Sequence, residues 1–159
     1  MSTLITLKNI TAGYDNQTVL QNVNLTINEG DFIGIIGPNG GGKTTLLKML
    51  NRLIEPTDGV ILVNEKNILS ENVIELRRNM GYVIQQTGLF PHMTVRENIE
   101  LIPLLKNEQA DEVYEKTKRL LEVVGLNPLD YMDRYPHELS GGQQQRVGVA
   151  RAFATDSDI

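Results

Sequence analysis

A glycine-rich segment that ends in a lysine and a threonine carries the clearest chemical signal in this chain. Residues 37–44 read Gly-Pro-Asn-Gly-Gly-Gly-Lys-Thr and match the spacing G-x-x-x-x-G-K-[ST] in full. Because glycine has no Cβ, successive backbone N–H groups can point toward one spot and form a cradle for phosphate oxygens. We therefore predict that this segment, the phosphate loop, binds the phosphates of a nucleotide.

The polar side chains of the phosphate loop suit different parts of a nucleoside triphosphate. Lys43 is expected to reach the β- and γ-phosphates, the Thr44 hydroxyl to coordinate Mg²⁺, and Thr45 to assist at the α/β side. The other expected contacts are Gly37, Asn39, Gly40, Gly41 and Gly42. The loop thus predicts ATP and Mg²⁺ as ligands, but alone it leaves kinases, GTPases, motors and transport ATPases open.

A second glycine pair, in the segment Leu-Ser-Gly-Gly-Gln at residues 139–143, predicts another phosphate contact. Ser140 and Gln143 have the spacing of a capping box, which opens a helix. Ser140 offers a hydroxyl, and Gly141 and Gly142 expose backbone N–H groups where the helix dipole favours an anion. We expect Ser140, Gly141, Gly142 and Gln143 to bind phosphate oxygens.

Together the two segments resemble those of the ABC ATPase family, whose signature motif is Leu-Ser-Gly-Gly-Gln followed by a Gln/Arg-rich turn. The resemblance covers essentially the whole chain, with the motifs in the same order. It implies that the signature motif closes over the γ-phosphate of ATP held by a second copy, so that the working unit is a head-to-tail dimer. It also implies ATP hydrolysis coupled to transport, transmembrane permease subunits as partners, and a cytoplasmic location on the inner face of the membrane.

Two further residues take their expected roles from the same resemblance. Tyr14 stands where the family stacks an aromatic ring on adenine, with a core tyrosine as the alternative. Gln85 matches the glutamine that reaches the metal or the attacking water, although Gln86 is adjacent. Gln85 and Lys43 are therefore the expected catalytic residues, and Gln85 and Thr44 the expected metal contacts.

A finer similarity concerns the transported solute. Residues 48–57, 81–86 and 146–151 look like those of ATPase subunits from bacterial osmoprotectant importers for betaine, choline or carnitine. This resemblance implies import of a quaternary amine. Phe90 and Met93 are expected either to form an apolar patch toward the membrane subunit or to lie in the core.

The hydrophobic pattern predicts the elements that position these motifs. Residues 4–7 and 23–27 alternate as half-buried strands do, whereas residues 32–36 are continuously apolar, as in a strand buried on both faces. A helix is expected over residues 44–53, ending before Pro56.

Later segments are increasingly helical. Short strands are expected at residues 60–63 and 80–84, then a helix capped by Thr94 and another that ends at Gly125. The predicted architecture is α/β, a P-loop NTPase of ABC ATPase type with an N-terminal mixed β-sheet subdomain and a helical subdomain. Residues 1–159 are expected to form a single partial nucleotide-binding domain, β-rich over 1–87 and mainly helical over 88–154.

Composition narrows the function classes. The chain has 159 residues with 40% hydrophobic and 22% charged residues, which fits one globular domain. The net charge of −5 disfavours a nucleic-acid partner, and the lack of cysteine excludes disulfides and thiolate zinc sites. His92 has no second His or Cys nearby, and neither it nor His137 is expected to bind a metal.

In the family, an apolar strand ending in Asp-Glu follows the signature helix, and a switch histidine comes later. This chain ends at Ile159, where that strand would begin, and residues 60–65 carry Asn where the Asp would stand. We therefore expect an incomplete core sheet and little or no hydrolysis by this chain alone. A non-transport ABC ATPase and a non-catalytic nucleotide-binding fragment are the alternatives.

Overall fold

The computed structural model describes residues 2–14, 17–84, 88–157 and 159, and the chain divides into two compact units. The first, here called the sheet unit, spans Met1–Arg77 and takes in Asp158–Ile159. The second, the helical unit, spans Arg78–Ser157. Each unit has its own hydrophobic cluster, so each is described separately.

The sheet unit is built on a four-stranded antiparallel sheet in the order β2-β1-β3-β4. Its strands are β1 Thr3–Tyr14, β2 Gln17–Asn28, β3 Asp58–Val63 and β4 Lys66–Asn67. Thr6 of β1 lies opposite Thr26 of β2 on one side and Leu62 of β3 on the other. The alternation predicted for residues 4–7 is confirmed, since Ile5 and Leu7 are buried.

The sheet unit contains α1 Lys43–Leu50 and all but the last residue of α2 Val73–Arg78. The helix predicted at residues 44–53 is confirmed, although it ends earlier, at Leu50. Leu46 and Met49 of α1 enter the same cluster as the buried face of β1. Burial of this apolar stripe against the sheet fixes the direction in which the start of α1 points.

The helical unit contains α3 Val95–Leu105, α4 Ala110–Val123, α5 Pro128–Tyr131, a 3₁₀ turn Pro136–Glu138 and α6 Gly141–Phe153. Its cluster is built from Val95, Ile99, Leu121, Leu126, Met132, Leu139, Val147, Ala150 and Ala154. None of the helices in the described part of the chain is long and apolar enough to cross a membrane.

The predicted helix ends of this unit are confirmed. The Thr94 hydroxyl accepts a hydrogen bond from the Glu97 N–H at 3.2 Å, and the Glu97 carboxylate accepts one from the Thr94 N–H at 2.7 Å. Gly125 follows α4 with φ 74°, the left-handed conformation of a C-terminal glycine. These ends depend on residues three or four apart, which is why the sequence predicts them.

Two predicted strands are wrong. Residues 32–36 and 80–84 have no strand conformation, and Phe32 and Ile36 are 100% and 98% exposed. The sheet was expected to be mixed, but all its strand pairs in the residues that the structure describes are antiparallel. An apolar run shows that a segment suits a buried strand, but a strand also needs neighbours for its backbone groups. No described strand pairs with either segment.

Asn98 is a fully buried polar side chain on the apolar face of α3. Its Oδ1 accepts from the Phe90 N–H at 2.8 Å, and its Nδ2 donates to the carbonyls of Phe90, Met93 and Thr94 at 3.1, 3.1 and 2.9 Å. The Asn98 amide thus provides hydrogen-bond partners for backbone groups of residues 90–94, the segment that leads into α3.

Replacing Asn98 by Ala is expected to lower the free energy of unfolding by about 2–4 kcal/mol, because the buried amide is lost and the Phe90 N–H and the Met93 carbonyl lose their side-chain partner. Urea denaturation followed by circular dichroism measures this change. Gln109→Ala is the control, since Gln109 is exposed at the start of α4 and makes no side-chain cap. Equal stability of the two variants would contradict the role given to Asn98.

The Glu100 carboxyl group on α3 has an unfavourable environment. Burial raises its pKa above the ordinary value, although the charge of Arg96 acts in the opposite direction. The Oε1 atom of Glu100 and the Nε atom of Arg96 are buried without hydrogen-bond partners among the described residues. The folded chain therefore binds the Glu100 proton more tightly than the unfolded chain does.

Because this pKa is raised in the folded state, the free energy of unfolding should fall as pH rises above the ordinary glutamate value of 4.5. Glu100→Gln is expected to stabilise the chain at pH 7, and the gain should disappear as pH falls below that value. Urea unfolding at a series of pH values tests this. A constant or absent gain in Glu100→Gln would refute the prediction.

Candidate functional site

The phosphate loop bends where the motif has its glycines. Gly40 and Gly42 have φ of 79° and 81°, a left-handed conformation that residues with a Cβ rarely adopt. A Cβ on Gly42 would lie 2.6 Å from Leu20 Cδ2 of β2, so the Leu20 side chain would have to shift to make room for that Cβ. The Gly41 N–H donates to the Pro38 carbonyl at 3.1 Å. The loop thus contains a turn closed by Pro38 and Gly41, and its last glycine, Gly42, lies against β2.

Helix α1 begins with its N–H groups available to an anion. Its first residue follows Gly42, which makes no side-chain cap hydrogen bond among the described residues, and the first turn contains no acidic residue. The first N–H groups of a helix have no partner within the helix, and the dipole adds a partial positive charge there. This end of α1 can therefore bind a phosphate group.

The Lys43 ammonium lies over the turn of the phosphate loop. Its Nζ atom donates to the carbonyls of Gly37 and Pro38 at 2.8 and 2.6 Å. Thr44 is exposed, so its hydroxyl is open to a metal ion from solvent, whereas Thr45 is buried. The lysine and Thr44 therefore stand at one accessible end of the helix.

For the other predicted site residues, the structure describes the surroundings of some and leaves others out. Gly37 and Asn39 lie in the exposed part of the phosphate loop. The side chain of Tyr14 and the residues Gln85 and Gln86 lie outside what the structure describes, so their expected roles stay predictions. Phe90 is 41% exposed, and its ring meets that of His92 edge-on with centroids 6.1 Å apart.

The signature segment forms the start of α6. Ser140 Oγ accepts from the Gln143 N–H at 3.3 Å, and Gln143 Oε1 accepts from the Ser140 N–H at 2.9 Å. Nothing lies within 4 Å of a Cβ built on Gly141 or Gly142. The two glycine N–H groups and the Ser140 O–H are thus donors at an open surface that suits an anion.

The Gln143 side chain differs from Ser140, Gly141 and Gly142, because both its polar atoms are bonded within the helical unit. Its Oε1 accepts from Ser140, and its Nε2 donates to the Tyr131 hydroxyl at 2.9 Å. Both ends of the amide are therefore bonded within the helical unit. Sequence reasoning missed Tyr131, because no local spacing rule links a tyrosine to a glutamine 12 residues later.

Gly42→Ala is expected to destabilise the chain by about 1–3 kcal/mol, because the alanine needs a left-handed conformation and a Cβ that overlaps Leu20. Urea unfolding measures the loss. Gly34→Ala is the matched control, since a Cβ on Gly34 meets nothing within 4 Å. A Gly42→Ala variant as stable as Gly34→Ala would show that the loop does not need this conformation.

The chain is similar to known transport ATP-binding proteins. Residues 20–159 match the ABC transporter family. The choline transport ATP-binding protein OpuBA of Bacillus subtilis (strain 168) is 51% identical over 98% of this chain and 41% of its own length. The carnitine transport ATP-binding protein OpuCA of Listeria monocytogenes serotype 1/2a (strain 10403S) is 48% identical over 98% of this chain and 39% of its own length.

Among solved structures, the chain is similar to the dimeric structure of MJ0796, a bacterial ABC transporter cassette. The TM-score is 0.87 at 36% identity, covering 97% of this chain and 71% of that one. The chain spans about two fifths of the length of the curated relatives named above. The expected fold class and the similarity to osmoprotectant importer subunits are confirmed. Because the family match includes both the phosphate loop and the signature segment, the chain belongs to the ABC transporter family.

Proposed function

We propose that this chain binds Mg·ATP through its phosphate loop, as the ATP-binding part of an ABC importer subunit. The observation that carries the proposal is the Lys43 ammonium over a glycine turn at the start of α1, a helix without a side-chain cap. Bonds from Lys43 to phosphate oxygens would be charge-assisted at both ends and stronger than its bonds to neutral carbonyls. A triphosphate is therefore expected to displace Gly37 and Pro38 from the ammonium.

The remaining contacts follow from the motif and the family resemblance. Thr44 would hold Mg²⁺ with Gln85, and the ion would neutralise charge that develops on the β- and γ-phosphates. Thr45 and the loop residues Gly37, Asn39, Gly40, Gly41 and Gly42 would surround the phosphates. Tyr14 would stack on the adenine ring.

A second copy of the chain is the proposed partner at the γ-phosphate. Ser140, Gly141 and Gly142 present donors at an open helix start, which suits an anion held by another molecule. The solved structure of the similar cassette MJ0796 is dimeric, which supports a dimer here. We place this head-to-tail dimer beneath permease subunits at the inner face of the membrane.

The proposed cargo is a quaternary-amine osmoprotectant. The names of the similar proteins specify choline and carnitine transport, and the identity of about half the residues supports a related solute. The bonding pattern at the phosphate loop is independent of the solute. ATP binding and solute identity therefore require separate tests.

Hydrolysis by this chain alone is proposed to be slow. Phosphoryl transfer to water needs a group that positions the attacking water, in addition to the phosphate cradle. The phosphate loop contains no acidic residue, and neither does the first turn of α1. The phosphate loop and the start of α1 thus provide binding and charge neutralisation. Gln85, outside the described residues, is the proposed water contact, but its neutral amide cannot accept a proton from the water.

The proposal is tested by calorimetric titration with Mg·ATP. Lys43→Ala should weaken binding by tenfold or more, since a charge-assisted hydrogen bond contributes about 1.5–3 kcal/mol. Lys48→Ala is the matched control, because Lys48 lies in the last turn of the same helix. It should bind Mg·ATP as the parent chain does.

Circular dichroism of each variant separates loss of binding from loss of fold. Failure of the folded parent chain to bind Mg·ATP would refute the proposed function. Equal affinity of Lys43→Ala and the parent chain would show that ATP binds somewhere other than the phosphate loop.

A further inference from the structure

The Gln143 side chain is fixed by two bonds of opposite polarity. The Ser140 N–H is a donor, so the amide oxygen must face it, and the amide nitrogen must then face Tyr131. The Tyr131 hydroxyl accepts this bond at 2.9 Å. A hydroxyl that accepts keeps its own proton free, but the position of its oxygen sets where the Gln143 amide can lie.

The Gln143 amide in turn sets the state of Ser140. The Ser140 N–H is bonded to Gln143 Oε1, and Ser140 Oγ accepts from the Gln143 N–H at 3.3 Å. Because Oγ already accepts a bond from its own helix, the hydroxyl proton is directed to another acceptor. The same arrangement leaves the N–H groups of Gly141 and Gly142 at the open surface.

The Tyr131 ring is held by the rest of the helical unit. The ring packs against the cluster of this unit, and the Arg134 guanidinium lies 4.7 Å from the ring centroid. Arg134 also donates from Nε to the Asp130 carbonyl at 2.7 Å. The carbonyls of Met132 and Arg134 accept from the N–H groups at the start of α3, at 3.0 and 2.8 Å. Backbone bonds thus attach residues 132 and 134 to the start of α3, and Tyr131, beside them in the sequence, contacts Gln143 at the start of α6.

We propose that Tyr131 is a positioning residue for the signature segment. Its hydroxyl fixes the Gln143 amide, and the amide orients Ser140 and the first N–H groups of α6 toward the phosphate of a nucleotide on a second copy. The second half of this statement rests on the proposed function, since it requires that two copies associate around ATP. The first half concerns the helical unit alone and holds without nucleotide.

Tyr131→Phe is the test, because it removes one oxygen and keeps the ring. Amide hydrogen exchange without nucleotide should become about fivefold faster at Ser140 and Gln143, the factor for one neutral hydrogen bond of about 1 kcal/mol. Tyr114→Phe is the control, since Tyr114 on α4 uses its ring against Arg96 and Lys118. Its hydroxyl makes no hydrogen bond among the described residues, so exchange at α6 should not change.

A second measurement concerns the pair of copies. ATP-driven association, followed by analytical ultracentrifugation, should weaken about fivefold in Tyr131→Phe, while affinity for the first Mg·ATP remains that of the parent chain. A general loss of structure would instead lower both. In a Gln143→Ala background, adding Tyr131→Phe should change neither exchange nor association further, because the shared bond is already gone.

The outcomes separate the two proposals. Unchanged exchange at Ser140 and Gln143 in Tyr131→Phe would overturn the positioning role, whether or not ATP binds. Faster exchange with unchanged association would overturn the link to the second copy. A parent chain that binds no Mg·ATP would refute the proposed function and the link to a second copy, while the exchange result would still decide the role of Tyr131 in the helical unit.

Discussion

The first N–H groups of an α-helix have no carbonyl partners within that helix, and the two glycine motifs of this chain meet this constraint in opposite ways. At α1 the residue before the helix is Gly42, which provides no side-chain cap, so the N–H groups face a turn with a lysine over it. At α6 a reciprocal cap between Ser140 and Gln143 satisfies two donors and leaves the glycine N–H groups open. The start of α1 therefore suits several phosphate oxygens, whereas the start of α6 suits a single anion.

Each helix start depends on packing behind it. In the sheet unit, Leu46 and Met49 bury one face of α1 with the strands, while Leu20 of β2 closes the space beside Gly42. In the helical unit, the corresponding support is polar and comes from Asn98 and Tyr131. Asn98 fixes the segment before α3, and Tyr131 fixes the cap of α6. In each case a side-chain amide, that of Asn98 or that of Gln143, is bonded at both ends. Two bonds restrict the orientation of an amide more than a single contact does.

The exposed apolar segment at residues 32–36 illustrates a limit of hydrophobic patterning. Its composition is that of a strand buried on both faces, yet Phe32 and Ile36 are exposed and the sheet formed by β1–β4 does not include it. Pairing in a sheet is a property of two segments, so one segment cannot secure it.

Interactions within a few residues were determined by the sequence itself. The caps at Thr94 and Ser140 and the C-terminal Gly125 follow from spacings of about one helical turn, because their bonds close locally. The phosphate-loop motif is likewise a short contiguous segment, residues 37–44. The family and fold class also follow from the sequence, because the two motifs are specific in combination.

Only the tertiary structure decided which apolar runs become strands, that Leu20 lies against Gly42, and that Tyr131 holds Gln143. Those contacts join residues distant along the chain, and their energies depend on packing that no local spacing specifies.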